Sequence, residues 1–226
     1  TSISSTAFAQ DAAAEEEEES SSSSFDLVGS VAVVSDYRFR GVSLSDKDFA
    51  VQPSLTLKHD SGLYVGVWGS NLAANPGDDV EVDVFAGFSG GSTVTYDVGA
   101  TWYVYPGVSA FNYIEMTGKL GTTLGPATVG AQVSYAPSQG GTGNTDNIYL
   151  GTNAAIAIPT TPFTLTGSLG YEDGAFGNDK VDWSLGVTAS KYGFTAGVAY
   201  VDTNRTIGGL SDLGGAGVVF SLSYGF

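Results

Sequence analysis

Charged residues occupy alternate positions in two short segments of the sequence. Asp36, Arg38 and Arg40 would share one face of an extended segment, and Glu81 and Asp83 would share one face of another. Basic groups on one wall of a channel, opposite acids on the other, produce a transverse field that orients passing dipolar solutes. The same groups could instead form a packed salt-bridge network that only satisfies buried charges. The sequence leaves both interpretations open.

Three more ionisable residues lie on the polar face of a segment in which apolar and polar residues alternate. They are Asp97, Glu115 and Lys119. Together with the two segments above, they are the predicted lumen or constriction residues. The remaining charged residues on predicted polar faces complete the set: Lys58, Glu172, Lys180 and Asp182. Such residues must point into a polar interior, because exposing them to lipid would be costly.

Catalytic chemistry finds little support among these residues. A nucleophile needs a positioned base beside it, and the single histidine, His59, falls next to Asp60 and Gly62 in a predicted turn. Glu81 and Asp83 face the same side and could act as an acid pair, but carboxylates of this kind line channels far more often. The chain has no cysteine, which excludes disulfides and thiolate metal sites. We therefore predict neither an enzyme nor a metal or cofactor site.

The elements that carry these residues are predicted to be β-strands. From residue 25 onward apolar and polar residues alternate, and clusters of Gly, Pro, Asn and Asp separate the runs. In the last run Val218, Phe220, Leu222, Tyr224 and Phe226 fall on one face, opposite small or polar residues. Twelve strands are predicted, over 26–40, 50–58, 63–71, 79–88, 93–105, 112–121, 127–136, 146–157, 163–172, 180–190, 193–201 and 216–226.

The connections between these runs alternate in length. The longer ones are 41–49, 72–78, 106–111, 137–145, 173–179 and 202–215, and those between them are tight turns. Outer-membrane barrels have short periplasmic turns and longer external loops. The predicted fold is therefore all-β, a single antiparallel up-and-down transmembrane β-barrel over residues 25–226, with both termini in the periplasm.

Composition also favours a membrane barrel. Only 14% of residues are charged, against about 25% in soluble domains, and no apolar run approaches the roughly 18 residues of a spanning helix. A soluble β-sandwich or lipocalin-like barrel would have a polar outer face, whereas the apolar face here carries no charges. The net charge of −16 argues against nucleic acid as a partner and mildly favours cations or neutral solutes.

The first 24 residues are predicted to lie outside the fold. Ala7-Phe8-Ala9 ahead of Gln10 has the pattern of a signal-peptidase site, so residues 1–9 are interpreted as a signal-peptide remnant. An ordinary flexible terminus is the alternative. Residues 10–24, with five consecutive glutamates followed by five serines, have no apolar face to bury and are predicted to be a disordered tail.

The C-terminal residues resemble a known signal. Phe220, Leu222, Tyr224 and Phe226 look like the C-terminal signature of bacterial outer-membrane proteins. That likeness implies recognition by the barrel-assembly machinery, which engages the last strand through its edge, and a Gram-negative outer membrane as the location.

A second resemblance is narrower and concerns the TorF-type outer-membrane porin family. It is carried by the segments VSDYRFRGVS at 34–43, GLYVGVWGSN at 62–71 and YDVG at 96–99, and it runs across most of residues 26–226. The resemblance implies a porin-like barrel in the outer membrane. It names no solute and no functional residue.

The predicted function is passive diffusion of small hydrophilic solutes or ions through an outer-membrane channel, with a mild preference for cations. The alternative is a non-conducting structural or interaction barrel whose lumen is blocked. Six aromatic residues would close the lumen if they pointed inward: Tyr64, Trp68, Phe85, Tyr103, Tyr105 and Tyr149. The expected partners are outer-membrane lipid, the assembly machinery and the solutes themselves, without nucleic acid, and the sequence predicts no oligomeric state.

Overall fold

The structure, a computed structural model, describes residues 23–73, 79–206 and 212–226. The predicted signal-peptide remnant, residues 1–9, lies outside the described residues. So does the predicted tail up to residue 22, of which only Ser23 and Ser24 are described.

Twelve antiparallel strands form a closed barrel, in which consecutive barrel strands pair and the last strand pairs with the first. A separate two-stranded hairpin lies within the first connection. In chain order the elements are β1 (Phe25–Val34), hairpin strands β2 (Arg38–Phe39) and β3 (Val42–Ser43), then β4 (Ala50–His59), β5 (Leu63–Asn71), β6 (Val80–Gly91), β7 (Val94–Val104), β8 (Tyr113–Leu124), β9 (Ala127–Ala136), β10 (Asn147–Ala157), β11 (Phe163–Gly174), β12 (Gly177–Lys191), β13 (Phe194–Thr203) and β14 (Gly217–Gly225).

The predicted number of barrel strands is confirmed, and eleven predicted spans agree with the structure to within a few residues at most ends. The first span is wrong at its end. β1 stops at Val34, where its last pairs with Ala50 and Ser221 are made, rather than at residue 40. The chain then leaves the wall of the barrel.

A tight turn explains why the first strand does not continue. Arg40 and Gly41 have φ angles of 48° and 83°, and positive φ at both central residues is the mark of a type I′ hairpin turn. The chain therefore reverses between β2 and β3. The prediction that Asp36, Arg38 and Arg40 belong to a wall strand is wrong, since they lie in or next to this hairpin. The pattern was misleading because a hairpin arm alternates its side chains with the same period as a barrel strand.

The outer surface of the barrel is an apolar belt bounded by aromatic residues. Phe163 and Tyr171 both point outward from β11, and Phe194 and Tyr200 do so from β13. The Tyr200 hydroxyl donates a hydrogen bond to Asp202 at the end of its strand that leads into a long connection. Aromatic residues with an apolar body and a polar tip are characteristic of the two interfaces of a membrane.

The barrel closes along the seam between β1 and β14. Gly29 and Phe226 exchange two backbone hydrogen bonds, 2.8 and 2.9 Å long. The Phe226 ring covers Gly29, whose missing side chain leaves it room. The alternate residues Phe220, Leu222, Tyr224 and Phe226 point outward, with between 41% and 66% of each exposed. The face predicted for the last strand is confirmed.

Helical structure within the described ranges is limited to single turns. Two 3₁₀ turns lie in long connections, at Ser109–Phe111 and Gly140–Thr142. No helix of the described part of the chain is long and apolar enough to cross a membrane.

The interior of the barrel has two different halves. Next to the long connections the inward-facing side chains are buried, and next to the short turns they remain partly accessible to water. The six aromatic residues whose direction the sequence left open lie on the inner face, as their strand positions and contacts indicate: Tyr64, Trp68, Phe85, Tyr103, Tyr105 and Tyr149. The aromatic rings therefore narrow the lumen.

Candidate functional site

Charged side chains are concentrated inside the half of the barrel that adjoins the long connections. Five buried carboxylates and three buried basic groups lie there, a net formal charge of −2 among the described buried residues. They are Asp36, Arg38, Arg40, Glu81, Glu115, Glu172, Lys180 and Asp182. Three belong to the first connection and five to the barrel wall, so the site forms where this connection enters the lumen.

Arg40, at the turn of the hairpin, is held by two glutamates of the wall. Its Nη2 atom donates a hydrogen bond of 2.6 Å to Glu115 Oε1 on β8, and its Nη1 atom donates one of 2.6 Å to Glu172 Oε1 on β11. The guanidinium also lies 4.2 Å from the centre of the Tyr149 ring on β10. A planar guanidinium can donate to two carboxylates in its own plane while its face lies on an aromatic ring.

Glu172 is shared between two cations. Its Oε2 atom lies 2.5 Å from Lys180 Nζ on β12, and the same ammonium donates a hydrogen bond of 2.9 Å to the Arg40 backbone carbonyl. Asn147 donates a further hydrogen bond to Glu172 Oε1. We call the four wall residues Glu115, Tyr149, Glu172 and Lys180 the cradle. Arg40 lies between the two glutamates, so negative and positive charges alternate from Glu115 through Arg40 and Glu172 to Lys180.

Arg38 has a different role from Arg40. Its Nε atom donates a hydrogen bond of 2.6 Å to Asp36, and its Nη1 atom donates to the backbone carbonyls of Gly41, Leu213 and Gly215. These partners belong to the first connection and to the connection that precedes β14. Arg38 therefore fixes the shape of the hairpin and fastens it to the last connection.

The hairpin extends across the lumen. It is attached to β1, yet Arg40 contacts β8, which is five strands from β1 in one direction around the barrel and seven in the other. On the near side Gly41 packs against Thr203 of β13 and Asp182 of β12. The hairpin thus occludes the barrel at the level of the buried charges.

The remaining acids of this half are bonded to tyrosines. Tyr105 donates a hydrogen bond to Glu81, and Tyr149 donates one to Asp182. Asp83 lies on the same inner face of β6, two residues after Glu81. Hydrogen bonds from neutral hydroxyls lower the cost of burying a carboxylate.

Three groups of the site that lie outside the spanning strands, Arg40, Tyr37 and Tyr105, have displaced pKa values. Burial lowers the pKa of Arg40, but Glu115 and Glu172 more than offset this and raise it overall, so the guanidinium stays charged. Burial raises the pKa of Tyr37 and of Tyr105, and the nearby acids Glu81 and Asp83 raise them further. Both phenols therefore stay neutral in ordinary buffers, and Tyr105 donates to Glu81.

Two predicted site residues lie elsewhere. Asp97 on β7 and Lys119 on β8 face each other across neighbouring strands in the half of the lumen near the short turns. Asp97 accepts a hydrogen bond of 2.9 Å from the Tyr64 hydroxyl. Lys119 lines a cavity of about 230 Å³ together with Gln132, Asn153 and several Ser, Thr and Gly residues. This half is polar and accessible.

The structure thus brings Asp36, Arg38, Arg40, Glu81, Glu115 and the adjacent Asp83 into one half, and it separates Asp97 and Lys119 from them. Asp36 also accepts a hydrogen bond from Ser43. Sequence patterning missed that the basic residues reach the acids from inside the lumen rather than from a wall. The only local signal for this was Gly41, which follows Arg40 and favours the turn. No group of three or more His, Cys, Asp or Glu side chains suited to a metal ion occurs among the described residues.

The closed twelve-stranded antiparallel barrel, with its apolar belt and charged interior, defines a protein with the fold of outer-membrane porins. The chain belongs to a bacterial protein family of unknown function, Gcw_chp, whose sequence model matches residues 18–226. Comparison with curated proteins gave no match.

Solved porins share this fold at low sequence identity. A KdgM porin superposes with a TM-score of 0.61 at 8% identity, covering 89% of this chain and 99% of the porin, and a KdgM porin in complex with disordered oligogalacturonate gives the same values. A NanC porin superposes with a TM-score of 0.57 at 11% identity, covering 89% and 99% of the two chains. At these identities the likeness concerns the fold alone.

Proposed function

We propose that this protein is an outer-membrane channel of the porin type, through which small hydrophilic solutes or ions diffuse passively. The observation that carries this function is the polar, water-accessible half of the lumen around Asp97 and Lys119. Hydrophilic solutes need a polar, water-accessible lumen to pass through a barrel, whereas a purely structural barrel does not. The resemblance to TorF-type porins is part of the same proposal.

A mild preference for cations is the second part of the proposal. Among the described buried residues carboxylates outnumber basic groups by five to three, and the wall itself carries four acids and one lysine. A lumen lined by acids raises the local concentration of cations. One neighbour in fold, a KdgM porin, has been captured with oligogalacturonate. Because that solute is an anion, it supports passage of hydrophilic solutes through a barrel of this fold and not the preference for cations.

The location and partners follow from the same barrel. We propose that it lies in the outer membrane of a Gram-negative cell with both termini in the periplasm and the long connections outside. The outward row Phe220, Leu222, Tyr224 and Phe226 supports recognition of β14 by the barrel-assembly machinery. Outer-membrane lipid surrounds the apolar belt, and no enzymatic activity is proposed.

The alternative is a non-conducting barrel with a blocked lumen. The hairpin across the lumen and the inward-facing Trp68, Tyr103 and Tyr149 favour it. In that case the buried ion pairs only stabilise the interior, and no solute passes that a transverse field could orient. The two functions make opposite predictions about the full chain, because a channel must open for part of the time whereas a blocked barrel stays closed until its obstruction is removed.

Conductance measurements distinguish them. The full chain, and a variant in which residues 36–48 are replaced by a short Gly-Ser linker, would be refolded and reconstituted into planar bilayers. Heat-dependent gel migration would first establish that each barrel is closed. We expect discrete conductance steps from the full chain and more frequent ones from the shortened variant, with a cation preference that falls as salt rises because the charges become screened. Silence of the full chain beside a conducting shortened variant would support the blocked alternative, and silence of both well-folded barrels would exclude the channel.

A further inference from the structure

The hairpin between β1 and β4 is attached unequally to the two sides of the lumen. On the near side, Arg38 binds carbonyls of the connection before β14, and Ser43 N–H donates to the Leu213 carbonyl. On the far side, the polar contacts that the structure gives to β8 and β11 come from Arg40 alone among the described residues of the hairpin. Loss of this one side chain would remove the polar contacts with β8 and β11. The tip would keep only contacts nearer to its own side of the lumen, namely the Lys180 hydrogen bond to the Arg40 carbonyl and the packing of Gly41 on β12 and β13.

The backbone at Arg40 is unfavourable for an arginine. The first central position of a type I′ turn prefers Asn, Asp or Gly, because its φ is positive. Arg40 adopts φ 48° there, a conformation that costs energy for a non-glycine residue with a long side chain. Strain of this kind persists where surrounding contacts hold it, and the contacts of Arg40 are those of the cradle.

The two glutamates of the cradle also lose a counter-charge when Arg40 leaves. Glu172 would keep Lys180, but from the described residues Glu115 would keep only a long hydrogen bond of 3.5 Å donated by Tyr103. The second oxygen of Glu115 already makes no hydrogen bond within the described parts of the chain. A buried carboxylate that loses its cation is strongly destabilised and draws in water or a counter-ion. Withdrawal of Arg40 therefore favours hydration of the lumen.

From these contacts we infer that the hairpin is a displaceable plug, that Arg40 is the latch that keeps it seated, and that the channel conducts when Arg40 leaves the cradle. The inference deepens the proposed function, on which it rests, by naming how the lumen is closed. With the tip displaced, the wall at this level carries Glu81, Glu115, Glu172 and Asp182 against Lys180. The open state is thus selective for cations, whereas the seated guanidinium is a tethered cation that occupies their path.

The latch can be removed without damaging the turn. Arg40→Asn eliminates the guanidinium and places at this position a residue that type I′ turns favour. Arg40→Lys keeps a charge but loses the two-pronged contact. Arg205→Asn is the matched control, because Arg205 lies in the last connection and bonds the Asn178 carbonyl at the surface. All three would be compared with the unmodified full chain in planar bilayers after heat-dependent gel migration has confirmed folding.

We expect Arg40→Asn to raise the ratio of open to closed time on the order of a hundredfold, from the usual cost of stripping a buried carboxylate of its partner. Its open steps should match those of the unmodified chain in size and should be cation-selective. Arg40→Lys should be intermediate, and Arg205→Asn should behave as the unmodified chain. Equal open times for Arg40→Asn and the unmodified chain would overturn the latch.

A crosslink tests the displacement itself. The chain has no cysteine. A Cβ added to Gly41 would overlap the γ-methyl group of Thr203, which Thr203→Cys removes, so the two thiols come within reach of a disulfide. Because Gly41 has φ 83°, a cysteine there also strains the turn, and the Gly41→Cys variant alone measures that effect. The oxidised double variant should be closed, and reduction should restore its openings. Each single cysteine variant is the control. Openings that survive complete crosslinking would show that conduction does not need the hairpin to move.

The two proposals fail differently. If the unmodified chain conducts and Arg40→Asn does not differ from it, the channel stands and the latch is wrong. If the shortened variant is silent although folded, the channel itself is wrong and the latch with it. If both conduct more than the unmodified chain, both proposals are supported.

Discussion

Arg40 and Lys119 show how position in the lumen decides what a basic residue does. Arg40 is almost completely buried between two glutamates and is part of an ion network. Lys119 is only partly buried, and no ion pair involves it among the described residues, since its cross-strand neighbour Asp97 bonds Tyr64 instead. A charge that water and ions can reach acts on permeation, whereas one locked in a network acts on structure.

Lys119 should therefore influence ion selectivity without influencing stability. Lys119→Gln removes a positive charge from the accessible half of the lumen, so we expect a larger cation preference at low salt that fades as ionic strength rises. The measurement is the reversal potential in a KCl gradient, made on the variant lacking residues 36–48. Lys191→Gln, at the end of β12 beside Tyr192, is the control and should leave the potential unchanged. An unaltered potential for Lys119→Gln would place the narrowest part of the lumen elsewhere.

Among the strands, β5, β6 and β7 show how aromatic side chains fit inside a narrow barrel. Tyr64 of β5 lies over Gly87 of β6, and Phe85 of β6 lies over Gly66 of β5. Each ring occupies the space where a neighbouring strand lacks a side chain, so the rings lie along the wall. Glycine at these inward positions therefore leaves part of the lumen open despite the aromatic residues.

Gly87→Ala should disturb this arrangement. The added methyl group would meet the Tyr64 hydroxyl and lie 2.6 Å from the Val98 carbonyl oxygen, and overpacking of this kind typically costs about 1–3 kcal/mol. We expect a lower urea midpoint for unfolding in detergent micelles. Gly118→Ala is the matched control, because its nearest neighbour, a Val133 methyl group, is 3.8 Å away. Equal midpoints for the two variants would mean that Tyr64 moves aside freely.

At the scale of the whole molecule, the two ends of the barrel differ in structure and in charge. The end with long connections contains the hairpin and the buried charges, and the end with short turns contains the accessible lumen. A solute entering from the side of the short turns would meet polar side chains first and the hairpin last. The orientation in the membrane therefore decides which compartment the hairpin closes off.

Labelling of single cysteines tests that orientation. Gly140→Cys lies in a long connection with nothing within 4 Å of the added Cβ, and Asp60→Cys lies in an exposed short turn. Because the chain has no cysteine of its own, a membrane-impermeant maleimide reports each site alone. We expect labelling at position 140 on intact cells, and at position 60 only after the outer membrane is permeabilised. The reverse pattern would mean that the barrel is inserted the other way round.

The strands and their faces could be predicted from the sequence because both depend on local geometry. In β14 the alternation of Val218, Phe220 and Leu222 with small residues follows from a backbone that turns successive side chains to opposite sides. The same rule applied to the other barrel strands. The connection lengths, which alternate along the sequence, indicated simple up-and-down pairing. One apolar face and one polar face then define an outside and an inside.

The location of Arg38 and Arg40 was decided only by the tertiary structure. A wall strand and a hairpin arm share the same period of two, so alternation alone does not distinguish a residue of the barrel wall from one on a loop folded into the lumen. Arg40 finds Glu115 and Glu172 at separations of 75 and 132 residues. Contacts of that range exist only once the barrel has closed around the hairpin. The sequence by itself therefore determined the barrel and its polar interior, and only the closed fold decided which side chains fill that interior.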